Sequence, residues 1–246
     1  LKPVTEERGF VIPAFNTNNV DYDFLAKKLA ISIKKHNPGA NIHIVTLEND
    51  MRDFGQFGQY ANDVHAYYQT PYRQTIKLEA DMLVASPIDH WWPMFEHRDV
   101  VISTGCRDFY DQPAESRFYR RVFDDNDLPD VYNAITYWRR SHLAHEFFTL
   151  VKNIFEHWSR YRSLLRFCDE PPTTDLVYAM AAKIIGPELV TMPFATYPKI
   201  VHMKRHIIPI GTNDWTKELI WETNPLRIQT VAQWGAFHYH VKDWQT

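Results

Sequence analysis

No G-x-G-x-x-G follows the first apolar run of this sequence, and no Walker A loop occurs. With eight glycines in 246 residues, the chain has little material for phosphate-cradling loops. A Rossmann dehydrogenase and a P-loop nucleotidase are therefore set aside. Cysteine is scarcer still. Cys106 and Cys168 stand far apart and outside metal-ligand spacing, which argues against a disulfide framework and fits a reducing compartment. No run approaches the ~18 apolar residues of a membrane span, and the N-terminus lacks a signal-peptide pattern. The expectation is a protein without a membrane span that works in the cytoplasm. The net charge of −3 provides no bulk attraction to nucleic acid.

Hydrophobic residues make up 45% of the chain, enough for a sizeable core, and aromatics make up 15%. The eight Trp and thirteen Tyr are mostly expected to pack, with some free to line a sugar or base site. Strand and helix signals alternate as in βαβ units. Gly9 to Ala14 reads as the first strand, and Asp21 to His36 as an amphipathic helix ending before Asn37-Pro38-Gly39. Ile42 to Leu47 reads as the second strand, Asp53 to Gly58 as a loop, Val100 to Ser103 as a further strand, and Ser141 to Trp158 as a helix. Thr174 is placed as N-cap of the stretch Val177 to Ile184, with Asp175 in its first turn. The class is α/β, one domain over residues 1–246 with a mostly parallel central sheet flanked by helices. Ligands are expected at the carboxyl ends of its strands.

One segment carries chemistry. Ile76 to Val84 reads as a buried strand interrupted by Lys77, Glu79 and Asp81. Residues two apart on a strand share a face, so Glu79 and Asp81 would project side by side. Two such carboxylates repel and lose hydration. A divalent ion relieves both costs, and oxygen ligands suit Mg2+ or Mn2+. The plainer alternative is an edge strand that leaves both in water.

The run Thr70-Pro71-Tyr72-x-x-Thr75-x-x-Leu78-Glu79-x-Asp81-Met82-Leu83-Val84 resembles the metal-binding segment of GT-A glycosyltransferases. The glycogenin-like and galactosyltransferase-like group writes it Ser-Pro-Tyr-x-x-Thr-x-x-Leu-Asp-x-Asp-x-Leu-Val. Glu79 stands where that group has Asp, which lengthens one ligand arm and keeps its charge. The resemblance runs in order from about Gly9 to His202.

It implies a Rossmann-like GT-A domain with a nucleotide- and metal-binding half over 1–105 and a sugar- and acceptor-binding half over 106–246. Mn2+ or Mg2+ would be held by Glu79, Asp81 and a late histidine, His202 first, with His238 and His240 in reserve. The resemblance places Phe15, Asn16 and Thr17 at the nucleotide base and ribose, and Tyr72, Arg73 and Gln74 near the nucleotide. Lys204 would sit at the diphosphate, Asn133 at the donor sugar, and Asp175 would orient the sugar or act as base. As isolated residues, several of these are ordinary turn formers, caps or solvated side chains.

The implied activity is metal-dependent transfer of a hexosyl or pentosyl group from a nucleotide-diphosphate sugar, a UDP-sugar above others, to an acceptor hydroxyl. The glycogenin-like resemblance leans toward retention; inversion would need a base such as Asp175 or Asp108. Arg117, Arg120, Arg121, Arg139, Arg140, Arg160, Arg162 and Arg166 interleave with aromatics in the middle of the chain. They bring in a DNA acceptor, such as hydroxymethylated pyrimidines of phage DNA, against the plainer reading that they pair with nearby acids. A nucleotide-sugar hydrolase and a non-catalytic carbohydrate-binding protein are the alternatives from other classes.

Overall fold

The computed structural model describes residues 1–46, 62–111, 121–166, 171–193, 198–202, 219–220, 226–228 and 231–239. The Asp53 to Gly58 loop, Cys168, Arg117, Arg120, Lys204 and His240 lie outside them, as does the side chain of His202.

The central sheet has the order β2-β1-β3-β6-β5. Its strands are β1 (Glu6–Pro13), β2 (Ile42–Val45), β3 (Tyr72–Leu78), β5 (Val100–Thr104) and β6 (Val131–Arg139). β1 pairs in parallel with β2 and β3, whereas β6 runs antiparallel to both β3 and β5. Strands β1, β2, β3 and β5 therefore point one way, and the sheet is mostly parallel as expected.

Alternation along β1 explains the layers. Phe10 and Ile12 face one apolar cluster with α1 (Tyr22–His36) and α3 (Trp91–Phe95). Val11 faces the other, with α2 (Asn62–Gln69), α5 (His142–Glu156) and α7 (Thr174–Ile185). Gly9 lacks a side chain because the ring of Tyr72 lies against it; a Cβ there would meet that ring at 2.4 Å. Asp21 caps α1 by accepting from the Phe24 N–H, and Ser141 caps α5 by accepting from the Ala144 N–H. Thr173, rather than Thr174, caps α7: its side chain accepts from the Leu176 N–H. Short helices α4 (Arg121–Asp125), α6 (Trp158–Arg162) and α8 (Pro187–Val190) complete the helical layers.

The expected single strand from Ile76 to Val84 is in fact two. β3 ends at Leu78, residues 79–81 turn, and β4 (Met82–Val84) joins a second sheet of order β4-β11-β7. In that sheet β11 (Ala236–His238) lies between β4, antiparallel, and β7 (Ile200–His202), parallel. The two-residue strands β8 (Leu219–Ile220), β9 (Arg227–Ile228) and β10 (Val231–Ala232) make a third, antiparallel sheet. Among the described residues, no helix is long and apolar enough to cross a membrane.

Burial also sets the alkaline stability. Tyr67 stacks on Phe148 at 4.2 Å between ring centroids, and Tyr72 packs under Gly9. Burial, aided by neighbouring Tyr68, pushes the Tyr67 phenol from 10.0 up to about 12. Burial, aided by Glu6, does the same for Tyr72. These folded-state values exceed the unfolded one, so the stabilisation is full below about pH 10 and drains between about 10 and 12 as the unfolded chain ionises first. Each tyrosine removes roughly 2–3 kcal/mol over that window. Urea midpoints measured from pH 9 to 12 should fall steeply in the native chain and less in Tyr72→Phe. A flat native profile would contradict this.

Candidate functional site

The turn between the two sheets is where the acids converge. Glu79 follows the last residue of β3, and its N–H donates to the carbonyl of Ala134 on β6 at 3.3 Å. Asp81 precedes β4, and its carbonyl accepts from the Tyr239 N–H at 3.1 Å. That bond ties the turn to the end of β11. The ladder sets His238 opposite Met82, one residue beyond Asp81.

The imidazole completes a three-residue cluster. His238 Nε2 lies 3.2 Å from Glu79 Oε2 and 3.0 Å from Asp81 Oδ1. One donor atom from each residue falls within 4.8 Å of the others. Asp81 and His238 are 10% and 7% exposed, while Glu79 is 34% exposed. The cluster thus has a buried floor and one arm reaching toward solvent. Two carboxylates and one imidazole, close-set and with Asp81 and His238 buried, form a donor set suited to Mn2+ or Mg2+. The pairing is not the strand geometry expected from Glu-x-Asp: a turn, not a shared strand face, brings the carboxylates together.

The third donor among the described residues is His238. His202 is its register partner on β7, so the two histidines lie on neighbouring strands. The negative field of the cluster is felt by Tyr22 at the start of α1, whose phenol is pushed up by burial and by the Glu79 charge.

The β1–α1 loop stands at the carboxyl end of β1. Phe15 is buried there, 5.9 Å from the His65 ring. Asn16 Oδ1 accepts from the Asp23 N–H at 2.9 Å, and Thr17 Oγ1 accepts from the Val20 N–H at 3.1 Å. Both side chains therefore shape the loop.

Tyr72, Arg73 and Gln74 open β3, at the end of the strand opposite Glu79; seven residues at about 3.3 Å each separate Tyr72 from Glu79 by roughly 23 Å. Arg73 pairs with Glu7 at 3.2 Å, and Gln74 accepts from the Tyr137 hydroxyl at 3.1 Å. The structure does not bring these three to the carboxylates.

A second group meets beneath the turn. Asp175, in the first turn of α7, accepts from the Asn133 N–H at 2.8 Å. Lys77, fully buried on β3, donates to the Asn133 carbonyl at 2.7 Å. The Thr136 hydroxyl donates to Asn133 Oδ1. Asp108 accepts from the Tyr110 N–H at 2.9 Å, closing a local turn. Three of the arginines are engaged within the chain: Arg121 pairs with Asp125, Arg139 with Asp99, and Arg140 donates to the carbonyls of Thr70 and Tyr72; Arg160 and Arg162 lie on α6.

Two residues of the site escaped the sequence reading. Tyr132 hydrogen-bonds His238 Nδ1, and Lys77 supports Asn133. The signal for Lys77 was present, a lysine inside an apolar run. Tyr132 gave none.

No protein-family model matches the chain, and no curated protein matches it in sequence. Solved structures do match. The apo form of mouse xyloside xylosyltransferase 1 aligns over 95% of this chain and 97% of its own, with a TM-score of 0.55 and 11% identity. A galactosyltransferase, LgtC, solved with donor and acceptor sugar analogues, aligns over 96% of this chain and 87% of its own. Its TM-score is 0.53 at 10% identity. The likeness is one of fold, and the chain has a GT-A glycosyltransferase fold.

Proposed function

We propose that this chain is a metal-dependent glycosyltransferase that takes a sugar from a nucleotide diphosphate, UDP first, and passes it to an acceptor hydroxyl. One observation carries the reading: Glu79, Asp81 and His238 converge on a single cluster at the carboxyl end of β3. That is where an α/β sheet of this kind binds ligands. Glu79, Asp81 and His238 would hold Mn2+ or Mg2+, with His238 taking the place first expected of His202. Bound there, the metal supplies Lewis-acid compensation for the charge that grows on the departing diphosphate.

The protein's own part is positioning. The β1–α1 loop, with Phe15, Asn16 and Thr17, is read as the rim beside the nucleotide. Asn133 is read as the residue facing the donor sugar, its peptide groups fixed by Lys77 and Asp175. Transfer breaks the bond between the anomeric carbon and the diphosphate oxygen and forms one to the acceptor oxygen. Asp175 and Asp108 each receive one backbone N–H; the retaining course, in which no separate carboxylate base is required, is the one the glycogenin-like resemblance implies. Arg121, Arg139 and Arg140 are engaged within the chain, and nothing among the described residues favours DNA as the acceptor.

Calorimetric titration of UDP and of GDP, each with and without Mn2+, tests the reading. Mn2+-dependent binding of one nucleotide is the expected result. Release of free sugar from the donor at the same rate with and without acceptor would point to a hydrolase. Nucleotide-independent binding of free saccharide, indifferent to metal, would point to a carbohydrate-binding protein. Binding of neither nucleotide under any condition would remove the proposal.

A further inference from the structure

We propose that Tyr132 is a positioning residue that fixes His238 for metal ligation, its phenol oxygen accepting the Nδ1–H so that the Nε2 lone pair faces Glu79 and Asp81. The inference rests on the metal-site reading above and adds to it the residue that selects the ligating form of the imidazole.

A neutral imidazole carries one N–H, and the partner of one nitrogen decides what the other can do. His238 Nε2 has two carboxylate oxygens at 3.0 and 3.2 Å. Those anions favour a proton on Nε2, which is the form that cannot ligate. Ligation needs Nε2 bare and the proton on Nδ1, where it must find an acceptor because His238 is buried. The Tyr132 hydroxyl is hydrogen-bonded to that atom. A phenol oxygen can accept as well as donate, so it can receive the Nδ1 proton where a donor-only group could not.

The hydroxyl is held in register. Tyr132 is itself buried on β6, immediately before Asn133, with its ring 5.8 Å from the imidazole and inclined at 39°. The strand that presents Asn133 thus also sets the third ligand. Tyr132 and the proposed sugar contact, Asn133, are joined by one peptide unit.

The test uses the full chain and Mn2+ alone, followed by loss of the free-ion electron paramagnetic resonance signal, for native protein, Tyr132→Phe and His238→Ala. Tyr132→Phe should weaken Mn2+ binding about 10–100-fold, approaching His238→Ala. Long-range 1H–15N spectra with saturating Mg2+ read the tautomer directly, the His238 signals being those lost in His238→Ala. The native protein should carry its proton on Nδ1, and Tyr132→Phe should shift it toward Nε2. A native protein that binds no Mn2+ would overturn the metal reading itself. If native protein and Tyr132→Phe bind Mn2+ within threefold and share one tautomer, the positioning role alone fails. A native spectrum with the proton on Nε2 overturns it without recourse to the variant.

Discussion

Asp81→Asn is expected to lower sugar transfer about 1000-fold and to abolish metal-dependent nucleotide binding, while leaving Tm in metal-free buffer equal or higher. The two halves of this expectation share one cause. Asp81 is 10% exposed and faces Glu79 across His238. Asparagine has nearly the same shape but carries no charge to offer a divalent ion. The Asp81 carbonyl, which accepts from the Tyr239 N–H at 3.1 Å, is untouched by the exchange, so the turn keeps its backbone tie. What disappears is the repulsion between a buried carboxylate and its partly exposed neighbour, a cost the fold carries for function. Glu79→Gln should act in the same direction but more weakly, because Glu79 is 34% exposed and water already screens it. Kinetics and thermal melts on the same preparations decide the matter. Activity within tenfold of native, or a Tm lowered by several degrees, would make Asp81 a structural residue.

How much of this was legible in the sequence follows from which signals are local. The α1 and α5 boundaries rest on side-chain caps at Asp21 and Ser141, and both could be read from a few residues. The chemistry of Glu79 and Asp81 was legible because charge inside an apolar run is costly anywhere. The break between them was not. Leu78, Ala80, Met82 and Leu83 are all buried, so hydropathy runs on unbroken while the chain leaves one sheet for another. β6 was missed for a related reason: Val131 through Trp138 are buried on both faces, leaving no period-two alternation to detect. The proposed third ligand illustrates the limit most clearly. His202 and His238 are register partners on adjacent parallel strands. Far apart in sequence and side by side in space, they could be separated only by knowing that β11 also pairs with β4.

Lys77→Ala should cost about 3–5 kcal/mol of stability, as a cavity plus the loss of a buried charge-assisted hydrogen bond. For a domain of ordinary stability that is roughly a fifth or more of the total. The reason lies in how Asn133 is held. Its carbonyl accepts from Lys77 Nζ at 2.7 Å, and its N–H donates to Asp175 Oδ1 at 2.8 Å. The residue proposed to meet the donor sugar is therefore gripped on both peptide sides, by a strand and by a helix. Lys77 is fully buried, and its ammonium donates to this clamp. Lys77→Met separates the two costs, because it keeps the volume and loses the hydrogen bond, for about 1–3 kcal/mol. Urea unfolding of Lys77→Met, Asp175→Ala and the double variant should give a coupling of about 0.5–3 kcal/mol, since both act on one residue. Mn2+ affinity in Lys77→Met should stay within threefold of native, because the proposed ligands of the ion are Glu79, Asp81 and His238, while transfer falls as Asn133 loosens. Additive unfolding energies would dissolve the clamp into two independent contacts. A Lys77→Ala variant less than 1 kcal/mol below native would deny the lysine any structural part.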